Sequence, residues 1–417
     1  MKTILLWGLI LIESALAQKL LIPMDAAQKD HLKAYGIAYL VLTRDINIEW
    51  VLNYRGGSFL MDSYPEIIKE CRLRGVTVET LGAEQTLEIY ARVSENNMDI
   101  ALLEKAPRIA IYTPPSKQPW DDAVTLALTY AEVPYETLWD EEVFSGGLKQ
   151  IDWLHLHHED FTGQYGKFYR NYHTADWYIQ QKKEFEDMAR RLGYPSVHRQ
   201  KKDLAKIIKA YVGQGGFLFA MCSATDSYDI ALAEDNFDGV HAVYDDTPFD
   251  KDIQNKLDYS KTFAFTDFTV ITDPLVYEFS DIDYPPSDNP TTRGAEADYF
   301  TLFEFSAKYD PVPTMLTQNH TPVIKGFMGQ TTGFHRDRLK KHVVILGQDP
   351  ASPQIKYLHG NYGTGTFTFL GGHDPEDYQH FVGDPVTDLS LYRNSPGYRL
   401  ILNNILFPAA KKKERKT

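Results

Sequence analysis

Cys222 closes the run Gly215-Gly216-Phe217-Leu218-Phe219-Ala220-Met221-Cys222-Ser223-Ala224. A glycine turn leads into a short apolar segment that reads as a buried strand, and Ser223 to Ala233 reads as a helix beginning at once. A cysteine at such a corner is held off the strand, and the N–H groups after it are open to an anion. Those are the mechanics of a nucleophile on a sharp turn. The same pattern fits a small buried cysteine that ends a core strand. A thiol nucleophile needs an imidazole and a carboxylate, because the thiolate is the reactive form. Gly371-Gly372-His373-Asp374-Pro375-Glu376-Asp377 offers them at the end of another apolar segment. His373 would be the base and Glu376 the orienting carboxylate, with Asp374 the second choice. The Ser223 N–H and one from Gly163, in Phe161-Thr162-Gly163-Gln164-Tyr165-Gly166, would hold the oxyanion. Arg55, in the tight turn Arg55-Gly56-Gly57-Ser58, would bind an anionic part of the substrate.

A second constellation competes for the same pocket. In Leu154-His155-Leu156-His157-His158-Glu159-Asp160, His155 and His157 share one face of a continued strand. With Asp160 they would hold a transition metal such as zinc, completed by His173 or His380. Asn319-His320 and Lys325-Gly326-Phe327 are lesser candidates. No nucleotide or redox cofactor is expected, since no glycine loop ending in Lys-Ser/Thr is present to cradle phosphates.

The elements that must position these residues read as an α/β chain. Residues 18–105 form an N-terminal α/β module, with strands expected at Leu20–Pro23, Gly36–Thr43 and Val76–Val78 and helices at Tyr64–Arg74 and Ala83–Val93. From Arg108 strand and helix alternate: Ile109–Tyr112, Asp121–Glu132, Tyr135–Trp139, Ile151–Leu156, Ala175–Leu192, Asp203–Tyr211, then the Cys222 unit. That order implies a mostly parallel, doubly wound sheet whose strand ends share one edge. Residues 106–235 are the first part of this core and 341–409 the second. The aromatic- and proline-rich stretch 236–340 reads as an inserted α+β extension. His342–Leu346 is expected to be a strand, and a hairpin is expected around Gly360-Asn361, with a closing helix at 396–406.

Acidic residues outnumber basic ones by 57 to 43, a net charge of −14, which argues against nucleic acid as a partner. The basic tail 410–417 is the exception and reads as solvated. Lys2, the apolar Ile4–Ile12 and Ala15-Leu16-Ala17 have the order of a signal peptide over residues 1–17, so the chain is expected to be exported to the periplasm or beyond, starting at Gln18. No later stretch is apolar enough for a membrane span. Two cysteines, Cys71 and Cys222, allow one disulfide, which would silence the nucleophile.

Tyr211-Val212, Gln214-Gly215-Gly216-Phe217 leading into Cys222, and Tyr362-Gly363-Thr364-Gly365-Thr366-Phe367-Thr368-Phe369-Leu370-Gly371-Gly372-His373 resemble the class I glutamine amidotransferase-like superfamily, closest to its trehalose-utilisation-like branch. The resemblance implies a flavodoxin-like sheet and a Cys–His–Glu triad at Cys222, His373 and Glu376. Ala220 and Ala224 stand where that family's elbow has glycines, and one residue is added to its His-Pro-Glu run. The whole chain also resembles exported bacteroidete proteins commonly labelled asparagine synthetase B. Such a synthetase would carry a cysteine after the initiator Met and a Ser-Gly-Gly-x-Asp-Ser loop for ATP. Here residue 2 is Lys, and Ser145-Gly146-Gly147-Leu148 continues with Lys149 and Gln150. The expected function is thus an exported cysteine-dependent amidase or hydrolase acting on a carboxamide. The alternatives are a non-catalytic sugar- or peptide-binding module, a metal-dependent hydrolase using His155, His157 and Asp160, and, disfavoured for want of the ATP loop and the N-terminal cysteine, a glutamine-dependent amidotransferase of the asparagine synthetase type.

Overall fold

The computed structural model describes residues 18–116, 121–284, 299–310, 318–328, 331–377, 383 and 385–410. The expected signal peptide, His380 and the tail beyond Ala410 lie outside them. The elements run β1 (Lys19–Ile22), α1 (His31–Leu42), β2 (Ile48–Leu52), β3 (Ser58–Asp62), α2 (Pro65–Leu73), β4 (Glu79–Leu81), α3 (Ala83–Glu95) and β5 (Asp99–Leu103). There follow β6 (Ile109–Tyr112), α4 (Ala123–Ala131), β7 (Glu136–Leu138), α5 (Asp140–Phe144), β8 (Trp153–Leu156), α6 (Tyr169–Tyr172), α7 (Asp176–Arg191), α8 (Val197–Gly213), β9 (Phe217–Met221) and α9 (Ser223–Ala233). The rest is β10 (Tyr299–Leu302), β11 (Val323–Met328), β12 (Phe334–His335), β13 (Val344–Gln348), β14 (Gln354–Tyr362), β15 (Gly365–Leu370), β16 (Asp374–Pro375) and α10 (Pro396–Leu406).

Two sheets result. The N-terminal one is antiparallel throughout, in the order β4-β1-β3-β2-β5. The larger, eleven-stranded sheet runs β16-β11-β10-β13-β14-β15-β9-β8-β6-β7, with β12 on β14. Only β15, β9, β8, β6 and β7 are mutually parallel, so the sheet is mixed rather than mostly parallel. The antiparallel half comes from the β13–β14–β15 meander and from β10 and β11 of the 236–340 extension, which add strands to the core sheet. Residues of the parallel strands alternate between two apolar layers. Trp153, Phe219, Met221 and Leu370 face the layer of α1, α4 and α10, whereas Leu154, Leu218, Ala220 and Phe369 face that of α7, α8 and α9. Burial on both faces is why these strands read as unbroken apolar runs.

Three local expectations change. Gly36–Thr43 is not a strand but the second half of α1. Asp30 caps that helix by accepting the Lys33 N–H, and ten of its twelve residues are buried. A helix buried on nearly every side loses the 3.6-residue periodicity that would identify it. Gly36 sits where α1 meets α4, and a Cβ there would lie 1.8 Å from the Ala131 carbonyl oxygen. The strand expected at Val76–Val78 forms three residues later as β4. Gly360 and Asn361 lie inside β14, and the hairpin turns at Gly363-Thr364 instead.

Arg399 of α10 joins the two parts of the chain. Wholly buried, it donates to the Tyr35 hydroxyl, to the carbonyls of Met24 and Gly56 and to His320 Nδ1. His320 stacks on His31 at 4.3 Å and serves this joint. Burial and the Arg399 charge push it down to about 3.

Candidate functional site

Parallel β8, β9 and β15 end side by side, and their loops bring the sequence candidates to one edge. Cys222 is the N-cap of α9 at φ 52° and ψ −139°. A non-glycine residue in that region carries about 1–3 kcal/mol of strain, which the surrounding structure must hold. The holding contacts are a Cys222 N–H bond to the Gly372 carbonyl (3.1 Å) and an Ala224 N–H bond to the His157 carbonyl (3.0 Å). Together they tie the corner to both neighbouring strand ends. Among the described residues no acceptor takes the Ser223 N–H. The thiol is 2% exposed, and the Tyr277 hydroxyl lies within its electrostatic reach. Cys222 and Cys71 are not joined in a disulfide.

The imidazoles gather on the same edge. His157 Nδ1 donates to Asp122 Oδ2 at 2.7 Å, while Asp122 Oδ1 caps α4 through the Thr125 N–H. His373 Nδ1 donates to Asp374 Oδ2, and its Nε2 lies 3.3 Å from His158 Nδ1. The ring centres of His157 and His373 are 4.0 Å apart, and those of His157 and His158 4.8 Å. His157 Nε2 is buried with no hydrogen-bond partner. His155 stands one layer deeper: its Nδ1 donates to the Phe219 carbonyl (3.1 Å), and its Nε2 lies 3.4 Å from Asp122 Oδ2. Burial alone would raise Asp122, yet His157 and His155 hold its carboxyl well below the usual carboxylate range. Burial lowers His155, against the opposing Asp122 charge. Beside them burial pushes Glu159 up to about 8, against the opposing Lys201 charge.

Several candidates have other occupations. Asp160 does not share a ligand set with His155 and His157: its oxygens accept from the Thr162 N–H and hydroxyl and from the Gly166 N–H, folding their own loop. The carboxylate beside His155 and His157 is Asp122. Sequence spacing could not show this, because α4, β7 and α5 lie between Asp122 and the cluster. Its one visible sign was that an N-cap after a parallel strand sits at the same edge. Asp374 is the carboxylate on His373 Nδ1. Glu376, at φ 67°, lines a surface groove of about 410 Å³ with Lys29 and residues 390–396. Gly163 is turned against His198, where a Cβ would meet the backbone at 2.8 Å. Arg55 is paired with Asp25 at 2.7 Å and Glu79 at 2.9 Å, which closes its turn as a structural feature. His173 Nδ1 donates to the Tyr169 carbonyl. Lys325-Gly326 runs along β11, where Gly326 pairs with Pro375 beside the His373 loop.

No family model and no curated protein matches the chain. Among solved structures, a cytoplasmic protein of Salmonella typhimurium aligns over 73% of this chain and all of its own, at 12% identity and a TM-score of 0.30. A second cytoplasmic protein of that organism aligns equally far at 11% and 0.33. A beta-galactosidase from Bacillus circulans matches 70% of this chain and 32% of its own length, at 8% identity and a TM-score of 0.28. Likenesses this distant leave the residues themselves to decide the chemistry.

Proposed function

We propose that the chain is a hydrolase of carboxamide-type substrates, acting at the edge where β8, β9 and β15 end. The observation that carries this reading is the convergence of His157, His158 and His373, with a carboxylate behind two of them. A buried carboxylate on Nδ1 fixes the ring's tautomer and leaves Nε2 with its lone pair, which is what activating a water requires. The activated water attacks the carbonyl carbon, the C–N bond breaks, and the amine leaves with the proton. The Ser223 N–H is placed for the oxygen on which negative charge develops. With the amino-terminal pattern at Lys2–Ala17, the activity belongs outside the cytoplasm; a mature chain beginning at Gln18 is the outcome to look for in N-terminal sequencing.

The strained corner at Cys222 favours a second reading, in which the thiol is the nucleophile. Hydrolysis of a panel of amides and esters by His373→Asn and Cys222→Ser variants separates the two. Water activation predicts a loss of about 10²–10⁴-fold for the histidine variant and little change for the serine one. Loss in both variants transfers the chemistry to the thiol, with His373 as its base. A folded wild-type protein inert on the whole panel overturns both.

A further inference from the structure

We infer that His157, His158 and His373 are the ligands of a divalent transition-metal ion of the zinc class, with Asp122 and Asp374 as its outer carboxylates. One nitrogen from each ring lies within 4.8 Å of the other two. Two nitrogens each bonded about 2.05 Å from a tetrahedral zinc stand roughly 3.3 Å apart, and His373 Nε2 and His158 Nδ1 are 3.3 Å apart.

The protonation pattern agrees. Asp122 takes the Nδ1 proton of His157 and Asp374 that of His373, so the Nε2 atoms are left as acceptors. Carboxylate–histidine pairs of this kind orient the rings of metal-binding imidazoles and raise their basicity. His157 Nε2 has no hydrogen-bond partner and is buried, a costly state for a polar atom that a bound ion would relieve. His157 and His373 are each 2% exposed, whereas His158 is half-buried, so the ion would be enclosed on the sheet side and open towards solvent beside His158. An all-imidazole inner shell suits zinc, cobalt, nickel or copper rather than magnesium or calcium, which take oxygen ligands. The neighbouring trio Asp122, His155 and His157 is the weaker place for an ion, since His155 is wholly buried and Asp122 already takes the His157 Nδ1 proton and caps α4.

The ion deepens the hydrolase reading, with the Nε2 lone pairs held on the ion and water activation passing from His373 to it; that catalytic role rests on the reading, while binding does not. The experiment therefore measures binding first. Zinc content of protein purified from zinc-supplemented medium, and titration of chelator-stripped protein with cobalt(II), are expected to give one ion per chain and a tetrahedral cobalt spectrum. His157→Ala and His373→Ala should abolish the spectrum, and Asp374→Asn should weaken affinity about 10- to 100-fold. His173→Ala, outside the cluster, should leave it unchanged, and circular dichroism checks that each variant is folded. Folded wild-type protein that binds neither zinc nor cobalt at micromolar concentration overturns the inference; amide hydrolysis undiminished after stripping overturns the ion's catalytic role. One ion per chain without hydrolysis of any amide leaves the metal site standing and removes the proposed function.

Discussion

Asp226, in the first turn of α9, links stability to pH in a way the structure quantifies. Its side chain is fully buried. Oδ1 accepts from the Thr331 hydroxyl at 3.1 Å and from the Ser227 N–H at 2.9 Å, and Oδ2 has no partner. Burial raises the carboxyl from 3.8 to about 7, against the opposing hydrogen bonds. Between those two pH values the native state keeps a proton that the unfolded chain has released, so the group's contribution falls as pH rises through the window and is flat above it. Roughly three pH units at about 1.4 kcal/mol each bound the loss near 4 kcal/mol. Asp283 is also buried and raised, by burial first and by the Asp226 charge, so the two are coupled and Asp283 adds a loss of its own. Asp226→Asn keeps the Oδ1 acceptor and cannot ionise. Urea unfolding should show the variant close to wild type at pH 4 and more stable by about 2–4 kcal/mol at pH 8. An unchanged difference between pH 4 and pH 8 would refute the reasoning, because it would mean the native carboxyl titrates like an unfolded one.

Three further outcomes follow from packing and charge. Lys201 and Asp140 form an ion pair at 3.0 Å with side chains 1% and 0% exposed. Lys201→Met should therefore cost about 3–5 kcal/mol in denaturant unfolding, and adding Asp140→Leu should recover most of it; equal loss in the double variant would count against a stranded charge as the cause. Gly36→Ala should lower the melting temperature through the collision of α1 with the Ala131 carbonyl, by about 1–3 kcal/mol of overpacking; a neutral result would mean the helices separate freely. Burial pushes the Cys71 thiol up to about 11, so iodoacetamide on the native protein at pH 8 should leave Cys71 untouched. Rapid labelling of Cys71, read by peptide mass spectrometry, would show that the cover of α2 opens readily.

Much of the parallel core was legible from the chain alone. The apolar runs at Ile109–Tyr112, Trp153–Leu156 and Phe217–Met221 are strands, and the turn of Gly215-Gly216 into Cys222 is a strand-to-helix corner. Such features are local: two-sided burial writes continuous apolar runs, and a glycine turn writes its own residues. What failed was what depends on the surroundings of an element. α1 was hidden because its burial on nearly every side removes amphipathic spacing, and the antiparallel half of the sheet because strand direction is set by partners far along the chain. The candidate site divides in the same way. Residue type and strand-end position made His157 and His373 candidates in the sequence, since only those two properties are needed. Which carboxylate stands behind each ring was decided by tertiary structure. Asp122 reaches His157 from the cap of α4, Asp374 takes Nδ1 of His373, and Asp160 turns back on its own loop, because a hydrogen bond of 2.7 Å depends on where helix ends and loops come to rest.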